Sequence, residues 1–384
     1  MRYASSNFWA ATLAATLALA ACNGSSHHSG AVGDTPPPGG KVGHVFIVVL
    51  ENENADVSFG PASPAPYLAM TLPAMGAFLP EYYGTGHLSL GNYISMVSGQ
   101  GFNPATQSDC QIFQDFIGLP ALALDGQAVG QGCVYPDFVP TVANQLQDAG
   151  LEWKGYMEDM GNDPERDGGA TCAHPAVNSQ DPTQSADAAD NYAVRHNPFM
   201  YFHSIIDDQA NCDARVVPLT ALEADLASLA TTPEYVFITP SLCHDGHDEP
   251  CVNGEPGGLV SADEFLRTWV PKIMASAAFQ KDGLLIVTFD EAEANPEEPD
   301  GSDASACCGE LPGYNTPLPG IFGLGGGRVG AVLVSPLIRP GTVSEVPYNH
   351  YSLLKSVEDI FGLPYLGYAG QAALVSFGPD IFGP

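Results

Sequence analysis

Basic residues are scarce: lysine and arginine number 12 against 44 aspartates and glutamates in a chain of 384 residues, for a net charge of −32. A surface so short of positive charge excludes nucleic acid as a partner and excludes adsorption of the protein surface to an anionic membrane. It also sets a condition on any anionic substrate, which needs a local source of positive potential such as a bound cation or a helix N-terminus. Beyond the N-terminal apolar stretch there is no second run long enough to cross a bilayer, no internal repeat and no heptad pattern. Those absences exclude a polytopic membrane protein, a solenoid and a coiled coil. No Cys-x-x-Cys pair with matching histidines occurs, so a structural zinc is not expected.

What is present begins with Arg2 and the apolar stretch Ala10 to Ala21, which suits a secretory signal over residues 1–21. Its end, Leu19-Ala20-Ala21-Cys22, resembles a bacterial lipobox, which makes Cys22 the expected site of lipidation. Asn23, where an aspartate would signal retention, points to a bacterial outer-membrane lipoprotein; the alternative is a periplasmic or secreted protein. Residues 22–41 are Gly, Ser and Pro with little to bury and read as a flexible tether. Residues 42–384 are then the folded domain, with disulfide-bearing insertions at about 100–230. Apart from Cys22 there are eight cysteines, at 110, 133, 172, 212, 243, 251, 307 and 308, so four disulfides are expected in an exported chain. Cys243 and Cys251 can staple a short loop, while spacing leaves the other pairings open.

Four short apolar runs read as buried strands: Val45 to Leu50, Tyr235 to Thr239, Leu284 to Phe289 and Val329 to Ser335. "LEWKGYMED" at 151–159 is a further candidate. Helical patterns lie between them: residues 141–150, stopped by Gly150, and residues 261–280, with Ser261 and Glu264 as a capping box and Pro271 as a potential kink. Strand alternating with helix predicts an α/β fold around a mostly parallel sheet, whose ligands sit at the carboxyl ends of the strands. Three of the runs end in chemistry: Glu51-Asn52 after the first, Asp245, His247 and Asp248 after the second, Asp290-Glu291 after the third. One such loop could be acidic by chance in so acidic a protein. The three together favour a metal site, and oxygen ligands from Glu51, Asn52, Asp290 and Glu291 suit Ca²⁺, Mg²⁺ or Mn²⁺ better than zinc.

Ser89 lies just before a short helical pattern that begins near Gly91 and stops at Gly99. A serine there is either an N-cap or a nucleophile beside N–H groups able to hold a phosphate or oxyanion. No Gly-x-Ser-x-Gly elbow surrounds it, which disfavours a lipase-like hydrolase.

In order along the chain, "VVLENEN", "HLSLGNYISMVSG", "RHNPFMYF", "TPSLCHDGHD", "VTFDEAE" and "YNHYSLLKSVEDIFGLP" resemble the bacterial and fungal phosphoesterase family that contains acid phosphatases and phospholipases C, over residues 43 to 365. The shorter acid phosphatase branch is the nearer likeness, through Asn92 to Gly99 and Ser108 to Cys110. The resemblance implies an alkaline-phosphatase-like three-layer α/β/α sandwich. It implies that Glu51, Asn52, Asp290 and Glu291 hold one or more divalent cations. It makes Ser89 the nucleophile, lets Asn92 contact the phosphoryl oxygens, and places Asp245, His247 and His350 around the phosphate. His247 and, after it, His350 are the expected proton donors to the leaving group, with His196 a further substrate-binding candidate and His350 alternatively a helix cap. Three positions depart from the family pattern: Gly91 stands where proline is usual, His244 replaces a common asparagine, and Leu88 stands where proline is frequent.

The expected activity is a metal-dependent acid phosphatase that hydrolyses phosphate monoesters of a small molecule or lipid through a phosphoserine. The alternatives are a phospholipase C-like phosphodiesterase and a non-catalytic surface lipoprotein that binds metal or phosphate. The sequence leaves physiological substrate, metal identity and oligomeric state open.

Overall fold

Seven consecutive residues without a solvent-facing side, His44–Leu50 (β1), can be satisfied only in the middle of a sheet, where both faces are covered. The structure, a computed structural model, describes residues 42–294, 302–310 and 312–383. The signal peptide, the tether and Cys22 expected from the sequence lie outside the described residues. No helix among the described residues is long and apolar enough to cross a membrane.

The remaining strands of the main sheet are Ala77–Leu79 (β2), Trp153–Met157 (β3), Val216–Pro218 (β4), Tyr235–Thr239 (β5), Gly283–Phe289 (β6), Ala331–Val334 (β7) and Thr342–Val343 (β8). Their order is β8-β2-β7-β6-β1-β5-β3-β4, with helices on both sides, so the expected three-layer α/β architecture is present. β1 pairs in parallel with both β5 and β6, in register from Val45 opposite Tyr235 and Leu284. Their carboxyl ends therefore emerge side by side, and the three acidic loops predicted from sequence share one sheet edge. β7 runs antiparallel to β6, so the run around Val329 to Ser335 ends at the opposite edge, which is why no site residue follows it.

Residues 141–150 form the helix Val142–Asp148 with the capping box Thr141–Asn144, and Gly150 beyond it adopts φ +74°. The longer helix differs from expectation. Gly257 and Gly258 take φ +74° and +55°, which lets Gly258–Ala275 start before Ser261. Ser261 therefore lies inside the helix, where its hydroxyl accepts from the Gly257 N–H at 2.9 Å instead of capping. Pro271 is accommodated within that helix, and Ser276 caps a separate one, Ala277–Asp282.

Among the described residues four disulfides are formed: Cys243–Cys251 as expected, and Cys110–Cys133, Cys172–Cys212 and the adjacent pair Cys307–Cys308.

The amphipathic helix His350–Phe361 buries Glu358 completely. Its Oε1 accepts from the Leu366 N–H at 2.8 Å, while Oε2 has no partner, and burial pushes the carboxyl up to about 9. A carboxyl raised on folding adds stability that is full below its unfolded value and is lost as pH climbs through the folded one. Glu358→Gln, which keeps the oxygen facing Leu366, should therefore leave stability nearly unchanged at pH 4. At pH 8 it should raise stability by about 2 kcal/mol, or roughly 2–4 °C in Tm. Thermal melts of both proteins across that range check it, and a Tm gain independent of pH would refute the assignment.

Candidate active site

The chain leaving β1 turns sharply at Asn52, which holds φ +55°, a left-handed conformation that asparagine tolerates and most residues do not. That turn lets the Asn52 N–H reach Asp290 Oδ1 at 3.1 Å and its side-chain amide reach Glu51 Oε2 at 3.0 Å. The ends of β1 and β6 are thus tied by the residues named from the sequence.

Ser89 approaches from the helix Ser89–Ser98 (α1), which Gly99 closes with φ +66°. The helix begins two residues earlier than expected and Leu88 occupies the N-cap, so Ser89 is the first helical residue. Its hydroxyl donates to Glu51 Oε2 at 2.8 Å. The N-cap reading of Ser89 is thereby excluded, because a cap accepts from backbone N–H groups. Of those groups, the Leu90 N–H is taken by Asp109 Oδ1 at 3.0 Å. Gly91, where proline is usual, gives up its side chain to make room for Phe102, whose ring would lie 2.1 Å from an added Cβ.

One turn after Ser89, the Tyr93 hydroxyl donates to Glu51 Oε1, and its ring stacks on His196 with centroids 5.3 Å apart. The sequence reading missed Tyr93, although an i, i+4 spacing puts it on the same helical face as Ser89. His196 Nε2 lies 3.3 Å from Glu51 Oε2, and its Nδ1 lies 3.8 Å from Asp245 Oδ2. Both ring nitrogens lack a well-aligned hydrogen bond. Burial first, and the neighbouring Arg195 charge second, push this imidazole well below its ordinary value and keep it neutral.

Two expected site residues are engaged within the protein. Asn92 Oδ1 accepts from the backbone N–H groups of Thr85 and Gly86 and from the Thr85 hydroxyl, and Nδ2 donates to the Gly86 carbonyl. It holds the turn that leads into Ser89. His350 is fully buried, with Nε2 on the Asp290 carbonyl oxygen and Nδ1 facing the Tyr82 hydroxyl at 3.1 Å. Both nitrogens are engaged, burial pushes the ring down to about 4, and the side chain supports the Asp290 backbone. Nor does it cap its helix, since the Asn349 side chain accepts from Ser352. Glu291 is buried and paired through Oε2 with His87, another residue the sequence reading passed over, so Oε1 is the oxygen left for a ligand.

His247 fits the other pattern. Its side chain is 53% exposed, and its ring lies 3.6 Å from Asp248. Burial of its inner side lowers the imidazole, an effect that this exposure limits. Its backbone N–H donates to Asp245 Oδ1 at 3.0 Å, so Asp245 orders the loop that carries it.

Glu51, Asp245 and Asp290 are all fully buried within this cluster, and burial is the main cause that drives each carboxyl well above its ordinary range. Asp245 Oδ2 and Asp290 Oδ2 have no hydrogen-bond partner. Ionised together, such carboxylates would call for a neutralising cation, and Glu51, Asn52, Asp290 and Ser89 are the oxygen-bearing side chains that could hold one. A cluster elsewhere, Cys243, His244 and Glu255, has metal-ligand spacing, but Cys243 is committed to its disulfide.

A sequence model described as the Phosphoesterase family matches residues 65–364. The chain is 24% identical over 315 residues to a phosphate-repressible acid phosphatase of Penicillium chrysogenum, covering 82% of this chain and 58% of that one. It is 26% identical over 340 residues to a phosphatidylinositol-3-phosphatase of Mycobacterium tuberculosis, covering 88% and 83%. This chain therefore spans little more than half of the fungal relative. Among solved structures, a protein in the alkaline phosphatase superfamily from Vibrio parahaemolyticus matches with a TM-score of 0.48 and 12% identity, over 91% of this chain and 76% of that one.

Proposed function

The chain belongs to the Phosphoesterase family, and from that premise we infer that it is a metal-dependent phosphatase that cleaves phosphate monoesters with Ser89 as nucleophile. The observation that carries this reading is the Ser89 hydroxyl directed onto Glu51 inside a buried, under-neutralised carboxylate cluster. The relatives' activities, acid phosphatase and phosphatidylinositol-3-phosphatase, agree with a monoester substrate.

Ser89 Oγ forms a bond to phosphorus as the bond from phosphorus to the ester oxygen breaks on the opposite side, giving a phosphoserine and an alcohol. The hydroxyl proton is directed at Glu51 Oε2, which leaves an oxygen lone pair for attack. His247, open to solvent and free of a tight partner, protonates the departing oxygen, and a water then cleaves the phosphoserine. Tyr93 and Asn52 hold the two Glu51 oxygens in place, and Asn92 fixes the turn before Ser89. A divalent cation held by Glu51, Asn52 and Asp290 would neutralise the substrate's charge and polarise the phosphoryl group. Four disulfides fit an exported protein, and an N-terminal lipid anchor at Cys22 would tether the enzyme to a membrane.

The deciding assay is turnover of p-nitrophenyl phosphate, lost on chelation and restored by Mg²⁺, Mn²⁺ or Ca²⁺. Absence of turnover of any phosphoester with these ions supplied sinks the reading. Tyr93→Phe, which removes one oxygen's partner on Glu51, should weaken Mn²⁺ binding by about 10- to 100-fold in calorimetric titration without unfolding the protein. Unchanged affinity would mean that Tyr93 serves packing alone.

A further inference from the structure

We propose that Arg195, steered by Asp109, reads the unesterified oxygen of the substrate and makes this site select dianionic phosphate monoesters over phosphodiesters. The inference rests on the phosphatase reading above and names the group that decides its substrate class.

Arg195 sits in the turn Val194–His196, one residue before the histidine that lies 3.3 Å from Glu51. Its Nη1 donates to the Gln184 carbonyl at 3.1 Å, and its Nε faces Asp109 Oδ2 at 4.0 Å. The other oxygen of that carboxylate accepts from the N–H of Leu90, the residue after the nucleophile, at 3.0 Å. The guanidinium is thus held between the Gln184 carbonyl and Asp109, which also bonds the start of the helix bearing Ser89, while its own chain continues into His196 beside Glu51. Cys110–Cys133 pins the segment that carries Asp109, and Asp109 and Cys110 hold left-handed backbone angles of +49° and +50°.

Charge makes the position meaningful. Glu51, Asp245, Asp290 and Asp109 are all buried. Among the described residues, the other lysines and arginines with recorded ion pairs answer acids elsewhere: Lys154 to Asp225, Arg166 to Asp167 and Asp190, Arg215 to Glu152, Arg267 to Asp263, Lys272 to Glu223, Lys281 to Asp282 and Arg328 to Asp56. The Arg195 charge, by contrast, is felt at Asp109, Glu51 and Asp245. Its side chain keeps 13% of its surface, so it is desolvated without being sealed.

A phosphate monoester has three nonbridging oxygens sharing two negative charges; a diester has two, with one charge, and a second organic group in place of the third. A guanidinium offers a planar fork matched to two such oxygens, and its attraction is strong where water is excluded. A diester brings an uncharged substituent to that fork and leaves a buried donor unpaired, the arrangement that gives the steepest discrimination between otherwise similar substrates.

Wild type, Arg195→Ala, Arg195→Lys and Asp109→Asn are assayed, with the same metal, on p-nitrophenyl phosphate and bis(p-nitrophenyl) phosphate, with inorganic phosphate as inhibitor. Thermal melts confirm folding. Arg195→Ala should lower kcat/KM for the monoester by about 100- to 1,000-fold and weaken phosphate inhibition about as much, with less than roughly a fivefold change on the diester. Arg195→Lys, which keeps the charge and loses the fork, should recover about a tenth of the monoester activity. It carries the test if the alanine variant fails to fold. Asp109→Asn leaves the guanidinium in place but loosens its aim, so KM for the monoester should rise about tenfold with kcat less affected. Equal losses on both esters in an active enzyme overturn this inference alone. A wild type that turns over neither ester overturns the phosphatase reading and this inference with it.

Discussion

Ser89→Ala should abolish turnover, with kcat down by about 10,000-fold or more, while the protein stays folded. The expectation of an intact fold follows from what Glu51 keeps. When the serine hydroxyl is removed, Glu51 Oε2 still accepts from the Asn52 amide and Oε1 from Tyr93, so no oxygen is orphaned. Alanine is also the better residue in the first turn of α1, so the stability loss should be about 1 kcal/mol. Ser89→Thr keeps a hydroxyl at the same place and should retain measurable activity. Acid-quenched enzyme incubated with labelled substrate should carry phosphate on Ser89, and none in the alanine variant. Label on another residue, or an alanine variant within tenfold of wild type, would remove Ser89 from the mechanism.

Asp290→Asn should separate stability from activity. Asp290 Oδ1 accepts from the Asn52 and Glu291 N–H groups, and asparagine keeps that oxygen, while Oδ2 is buried without a partner. Burial raises this carboxyl well above its ordinary range, so the cost of ionising it in the folded state appears as pH rises above the unfolded value. An amide carries no such cost. The metal-free variant should therefore match wild type near pH 4 and exceed it at pH 8, by about 2–5 °C in Tm. Added Mn²⁺ should reverse the order: at a hundredfold excess over its dissociation constant, an ion stabilises wild type by about 2.7 kcal/mol, and the variant should lose most of that. Activity should fall by at least about 100-fold. Gain of metal-free stability with loss of metal response and activity is the pattern of a functional cluster that costs the fold. A variant destabilised at every pH would mean instead that Asp290 is a structural carboxylate.

Much of the site was legible because β strands place chemistry where their apolar runs stop. Val45 to Leu50, Tyr235 to Thr239 and Leu284 to Phe289 all became adjacent parallel strands, so Glu51, Asp245 and Asp290 had to meet. Ser89 was legible through its place before a helix. Asn92 and His350, whose partners in the fold the sequence did not foretell, share a cause. Each is a polar side chain next to the site in sequence, and nothing local tells whether such a group points into a cleft or backward onto a carbonyl. Tyr93, His87 and Asp109 were given no role for the complementary reason: their partners Glu51, Glu291 and Arg195 lie 42, 204 and 86 positions away.

By itself the sequence determined the layer architecture, the sheet edge that carries the chemistry and the residue types gathered there. Those follow from periodicity, from the burial that uninterrupted apolar runs demand and from the parallel pairing that strand and helix alternation imposes. Only the tertiary structure decided which oxygens are satisfied and which are left bare, that His350 is locked while His247 is open, and that the Arg195 guanidinium faces the buried Asp109. Hydrogen-bond direction and desolvation depend on contacts between residues remote in the chain, and these exist only once the strands have been laid side by side.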